Sequence, residues 1–214
     1  MERAHDVLEF WFDGRSGQSL GSSAFDAAWL AERSTFWFGG DGAAAGAARD
    51  AQIRAKLEPL LERAARGELA NWAASPKRRL ALIILFDQVP RNVYRGTAAA
   101  FAFDREALAL AVEGMQLAAD AALDPLERLF FYLPLEHAES MEAQEAAVAA
   151  FDRLVRDAPA ELRDFCAYTA GFARQHRDII AKFGRFPYRN VVLGRASTAA
   201  EREWLADGAE SFGQ

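Results

Sequence analysis

Apolar residues recur at intervals of three and four along nearly the whole chain and never settle into a period of two, a pattern that can bury one face of each segment only in helices. The stripe Ile53, Leu57, Leu60, Leu61 and Ala64 marks one amphipathic helix, which Pro59 is expected to kink. Ser75 and Pro76 read as the N-cap and first residue of a helix whose stretch 80–86 is wholly apolar and therefore central. Asp124-Pro125-Leu126-Glu127 is a capping box opening a helix that buries Leu126, Leu129, Phe130 and Leu133, and Pro134 is expected to interrupt it. Met141, Val148, Phe151 and Val155 trace the inward side of the next helix, which stops before Pro159. A long helix follows with Leu162, Cys166, Thr169, His176 and Ile180 on one face; Gly184 ends it and Lys182 complements its dipole. Thr198 and Glu201 make a last capping box. Segments 7–12 and 25–38 are aromatic-rich and expected to be helical, whereas the Gly/Ala-rich stretch 39–48 reads as a mobile loop. About eight to ten helices on short connections leave a bundle or a stack of helical hairpins, without the signature of an ordinary tetratricopeptide repeat.

At 214 residues, 51% apolar and 26% charged, one domain spanning 1–214 is the simplest organisation, able to bury about 70% of the surface of its unfolded chain. Cys166 is the single cysteine, which excludes an internal disulfide and every paired-cysteine zinc or redox motif and points to a reducing, cytoplasmic setting. The longest strictly apolar run, 80–86, is far too short for a membrane span, and no export signal is expected. A net charge of −6 argues against wholesale binding to nucleic acid or to an anionic membrane.

Two stretches of the chain nearly repeat each other. Residues 87–97 read Asp-Gln-Val-Pro-Arg-Asn-Val-Tyr-Arg-Gly-Thr, and residues 184–195 read Gly-Arg-Phe-Pro-Tyr-Arg-Asn-Val-Val-Leu-Gly-Arg. Each places a proline past a helical stretch, then Arg-Asn-Val, then a further arginine beside a glycine. An acidic protein has thus gathered Arg91, Arg95, Arg185, Arg189 and Arg195 into two connections expected to be rigid. A guanidinium can satisfy orphan carbonyls, pair with a buried acid, or clamp a carboxylate or phosphate, so scaffolding and anion binding both stay open. Asp87 is expected at a helix C-terminus, where the dipole disfavours it and Arg91 or Arg95 would compensate. Asn92 and Asn190 would add neutral hydrogen bonds.

His137 lies in Glu136-His137-Ala138-Glu139, a His-x-Glu spacing found in zinc deaminases, but the cysteine pair those sites require is missing. There is no His-Glu-x-x-His, and the expectation is that no metal or cofactor is held. His176 sits on an apolar helix face, either as a hydrogen-bonded core residue or, if it approaches Glu136 or Glu139, as a base with an orienting carboxylate. Cys166 on the same face reads as a buried filler. Phe183, Phe186 and Tyr188 interleave with Lys182, Arg185 and Arg189, which could stack single-stranded nucleic acid or pack a corner; the acidic whole favours packing.

The segments 85–97, 132–139 and 183–195, together with the aromatic opening 7–12, resemble the hallmark segments of the bacterial domain-of-unknown-function family numbered 924. Members often carry Phe, Ser and His where this chain has Val89, Ala138 and Tyr188. The resemblance implies an all-α, tetratricopeptide-like right-handed superhelix of antiparallel helix pairs, and no established activity. The expected function is binding of an anionic small molecule or an acidic peptide end in one polar concavity. Its expected residues are Asp87, Arg91, Asn92, Arg95, Glu136, His137, His176, Arg185, Arg189, Asn190 and Arg195. A protein-interaction scaffold with architectural arginines, and a His/carboxylate acid–base enzyme, are the alternatives.

Overall fold

The computed structural model describes residues 3–16, 27–40 and 42–208, and these are all-helical, without a strand. The elements are α1 (Ala4–Trp11), α2 (Ala27–Phe38), α3 (Ala43–Ala65), α4 (Pro76–Ile83), α5 (Val89–Val93), α6 (Asp104–Gln116), α7 (Pro125–Glu136), α8 (Met141–Asp157), α9 (Ala160–Phe183) and α10 (Ala199–Ala206). Sequence-encoded caps sit where the side chains dictate. The Asp124 N–H donates to Glu127 Oε2 at 3.0 Å, and Thr198 and Glu201 exchange backbone-to-side-chain bonds of 2.7 and 3.2 Å. Gly184 ends α9 with φ at 70°, a left-handed conformation that strains the backbone of residues bearing a side chain.

Helices α7, α8 and α9 follow one another through short connections, and α8 packs on both neighbours. The apolar helix α4 lies against α1, α6 and α7, so its segment is central, and α3 packs on α5. The N-terminal aromatics dock on one ring of α7: Trp11, Phe12 and Trp37 meet Phe130 edge-on at centroid distances of 5.6, 5.5 and 4.9 Å. Trp37 also donates its indole N–H to the Trp11 carbonyl at 2.9 Å, tying α2 to the end of α1.

Several expectations change. Most of the stretch 39–48 is helical, because α3 begins at Ala43; its alanines favour helix strongly enough to outweigh Gly46. Residues 25 and 26 of the segment 25–38, and residue 41, lie outside the described residues. Pro59 is carried inside α3, and Pro134 does not interrupt α7, which continues to Glu136. Met141 is 39% exposed rather than inward.

The largest change concerns Pro90, which does not follow a helix end. Between α4 and α5 the chain widens into a π-helical turn, Ile84–Gln88, in which the Val89 N–H reaches back five residues to the Ile84 carbonyl. A proline inside an α-helix lacks an N–H and its ring presses on the carbonyl four residues back; the wider turn gives room for that ring and lets the helix continue. The side chains of the motif serve its carbonyls. Arg91 donates to Asp87 O at 2.7 Å and Asn92 to Gln88 O at 2.8 Å. Asp87 therefore lies in the middle of a continuous helical rod, fully buried.

Helices α6 and α7 approach closely at Gly114, where an added Cβ would lie 2.5 Å from Phe131 Cζ and 2.7 Å from Arg79 Cδ. Phe131 is fully buried and Arg79 is held by Glu113 and the Leu110 carbonyl, so neither can withdraw freely. Gly114→Ala is expected to destabilise the protein by about 1–3 kcal/mol despite the better helix propensity of alanine, measured as a lower urea midpoint at unchanged slope.

Candidate functional site

The π turn, α7, α9 and the second Pro-Arg-Asn segment converge on a cavity of about 480 Å3. The π turn and α5 bring Gln88, Arg91 and Asn92 to it, α7 brings Glu136 with His137 just beyond, and α9 brings His176. Tyr188 and Arg189 enter from the 3-10 turn Pro187–Arg189. Arg49 of α3 and Arg95 complete its cationic side.

One carboxylate joins the two remote arginines. Asp104, in the first turn of α6, accepts from Arg91 at 3.0 Å and from Arg189 at 3.4 Å, and its Oδ1 forms an ion pair with Arg91 at 2.8 Å. Both arginines are buried, and both face the ring of Phe101, at 5.7 and 4.6 Å from its centroid. Arg189 also donates to the His137 carbonyl at 3.1 Å and lies 4.4 Å from the centroid of Phe186. Burial lowers the Arg189 pKa, and the like charge of Arg91 acts in the same sense.

Asp87 is the second carboxylate. Burial alone would raise its pKa, but Arg91, 3.2 Å away, and the His137 ring hold it well below the ordinary carboxylate range. Its Oδ1 lies 2.7 Å from His137 Nδ1, and its Oδ2 accepts from Gln88 at 2.6 Å. An ionised Asp87 can only accept, so the proton of a neutral His137 sits on Nδ1 and the lone pair on Nε2. Burial, then Arg91, lowers the His137 pKa and favours that neutral form.

Glu136 and His176 form a different pair. His176 Nδ1 is 2.9 Å from the Phe172 carbonyl and 3.2 Å from Glu136 Oε1; a carbonyl only accepts, so this nitrogen carries the proton. Burial pushes the His176 pKa down to about 3. Burial, reinforced by the charge of Asp87, pushes Glu136 up to about 8, so that it is a neutral acid at pH 7. Its Oε2 is buried without a hydrogen-bond partner, as are Arg91 Nε and Arg189 Nε.

Of the residues expected at the site, Asp87, Arg91, Asn92, Arg95, Glu136, His137, His176 and Arg189 lie at or directly behind this cavity. Arg185, Asn190 and Arg195 do not line it. Arg185 is bidentate to Glu201 at 2.7 and 2.8 Å, and Arg195 to Glu139 at 2.6 and 2.9 Å. Asn190 is fully buried and bonds Ser197 and Arg195. These three fasten the α9–α10 corner, and the locally basic stretch 182–195 is thereby largely neutralised. Phe186 is fully buried, which removes it from any nucleic-acid stacking surface. Cys166 is buried and its thiol pKa is raised by burial to about 11, the state of an inert filler. Among the described residues no three His, Cys, Asp or Glu side chains gather as a metal site would require, and no helix is long and apolar enough to cross a membrane.

The residues that sequence reasoning missed are Asp104, Phe101 and Arg49. Asp104 follows Phe103 at a helix start, where an acidic residue is commonplace, and nothing nearby in sequence marks it as the partner of two arginines.

The profile of a family described as bacterial protein of unknown function (DUF924) matches residues 7–209, and the chain belongs to that family. A solved structure of a protein of unknown function from Agrobacterium tumefaciens, ATU0120, is 34% identical; the match covers 96% of this chain and 97% of that one, with a TM-score of 0.74. No curated protein matches.

The Glu136 shift makes a stability prediction. In the unfolded chain this carboxyl loses its proton near its ordinary pKa of 4.5, whereas the native state keeps it until about pH 8, so native stability falls as pH rises between those values. Glu136→Gln, which cannot ionise, is expected to melt higher than the wild type at pH 8. The gain should shrink steadily towards pH 4.5 in melting curves recorded across that range.

Proposed function

We propose that this member of the DUF924 family binds a small oxyanion in the cavity between the π turn, α7 and α9. The observation that carries the reading is the lining itself. Arg49, Arg91 and Arg189 line the cavity together with Arg95, which Asp50 pairs, and the one acid among its described lining residues, Glu136, is neutral at pH 7. Asp87 and Asp104 neutralise part of that charge, which keeps the buried arginines foldable. A volume of about 480 Å3 suits a metabolite rather than a peptide.

Calorimetric titration with acetate and inorganic phosphate at low salt tests it. Arg189→Lys keeps the charge beside Asp104 but loses the planar fork and its Nε donor, and one hydrogen bond to a charged group is worth about 1.5–3 kcal/mol. Anion binding is expected to weaken tenfold or more in this variant, with its circular dichroism unchanged, and to weaken further in wild type above pH 8 as Glu136 ionises. Equal binding by wild type and folded Arg189→Lys would reject the site.

A second reading adds chemistry to the same cavity. The 2.7 Å contact between ionised Asp87 and His137 Nδ1 orients the ring as a carboxylate orients a general base. Hydrolysis of 4-nitrophenyl butanoate is expected to fall about 100-fold or more in His137→Asn, the scale of general-base catalysis. Turnover surviving in that variant would eliminate the assignment.

A further inference from the structure

The cavity has a second face that a simple inorganic anion would leave unused. Its apolar lining is made of Trp37 and Phe38 at the end of α2, Leu129 and Leu133 on α7, Phe151 on α8 and Phe172 on α9. Phe38 stays 47% exposed although its ring runs parallel to the buried Phe130, at 3° and 6.1 Å. A large aromatic left half open beside a cationic wall is surface to be covered, because apolar area in contact with water is what ligand burial removes. On the polar side stand Arg91, Arg189 and Glu136, whose Nε, Nε and Oε2 atoms are among the buried atoms without a hydrogen-bond partner. Guanidinium groups only donate, and a protonated carboxyl donates as well, so a group that only accepts suits this side of the lining. An oxyanion head is such a group, and a body attached to it would run along the Trp37–Phe38 wall.

We infer that the ligand is an amphipathic oxyanion, a carboxylate or phosphate monoester carrying an aliphatic or aromatic body, with its head on Arg91, Arg189 and Glu136 and its body against Phe38 and the leucines of α7. This rests on the anion-binding reading above and assigns the ligand class for the same site. Specificity divides between the walls. The head supplies charge and direction, and the body supplies the graded affinity that separates one acid from the next.

Titration of the full chain at pH 7 with acetate, butanoate, hexanoate, octanoate, octyl phosphate and 1-octanol tests the inference. Affinity is expected to rise along the carboxylate series by up to about fourfold per methylene, the value of burying one CH2. Octanol is expected to bind tenfold or more weakly than octanoate, and the tighter of octanoate and octyl phosphate identifies the head. Phe38→Ser, a change at a half-exposed position, should flatten the rise. Equal affinity from acetate to octanoate would overturn the amphipathic class while leaving anion binding intact. Octanol binding as tightly as octanoate would instead overturn the anionic head and the reading beneath it. Failure of every compound to bind would overturn both.

Discussion

Asp104 holds two buried guanidinium groups that the chain separates by almost a hundred residues. Removing a charge from water is tolerable only when a counter-charge and hydrogen bonds replace the solvent, and this carboxylate supplies counter-charge to both Arg91 and Arg189. The same clasp docks the second Pro-Arg-Asn segment against the first half of the protein. With it go the packing of Phe101 against both arginines, the Arg189 bond to the His137 carbonyl, and the cavity these residues border. Asp87 repeats the device one turn away, balancing Arg91 and orienting His137.

The π turn is what makes this arrangement possible within a helix. A regular α-helix through Ile84–Gln88 would meet the ring of Pro90, and a helix stopped before it would leave Asp87 at a carboxyl terminus whose dipole opposes its charge. Widening by one residue keeps the rod intact and turns Arg91 and Asn92 back onto the carbonyls of Asp87 and Gln88. Asp87 is left buried and ionised beside a histidine, while Glu136, whose pKa the charge of Asp87 helps to raise, is neutral. Two carboxyl groups with opposite preferences in one pocket are a frequent property of functional sites.

Much of the helical framework was legible. The capping boxes at Asp124 and Thr198, the stop at Gly184 and the central position of segment 80–86 follow from local chemistry, and the structure has them where the residues call for them. The proline rules gave less. Pro90 and Pro134 were read as helix ends, yet tertiary packing carries both inside helical rods. The likeness of the two Pro-Arg-Asn segments also misled, because the first is helical and the second a 3-10 turn. What the two share is a division of labour. The leading arginines meet on Asp104 at the cavity, whereas the trailing ones, each accepted by the preceding asparagine, pair with Asp50 and Glu139.

The order of residues determined by itself that this chain is helical and where most helices start and stop, since caps, periodicity and helix propensity act within a few residues of one another. It also marked the arginines, histidines and acids that carry the polar chemistry. Only the tertiary structure decided which of five arginines face a cavity and which fasten a corner. It also decided that Asp104 is their common counter-ion, and that one glutamate is neutral while an aspartate nearby is charged. Charge pairing and desolvation depend on distance in space and on exclusion of water, and neither is written in sequence separation.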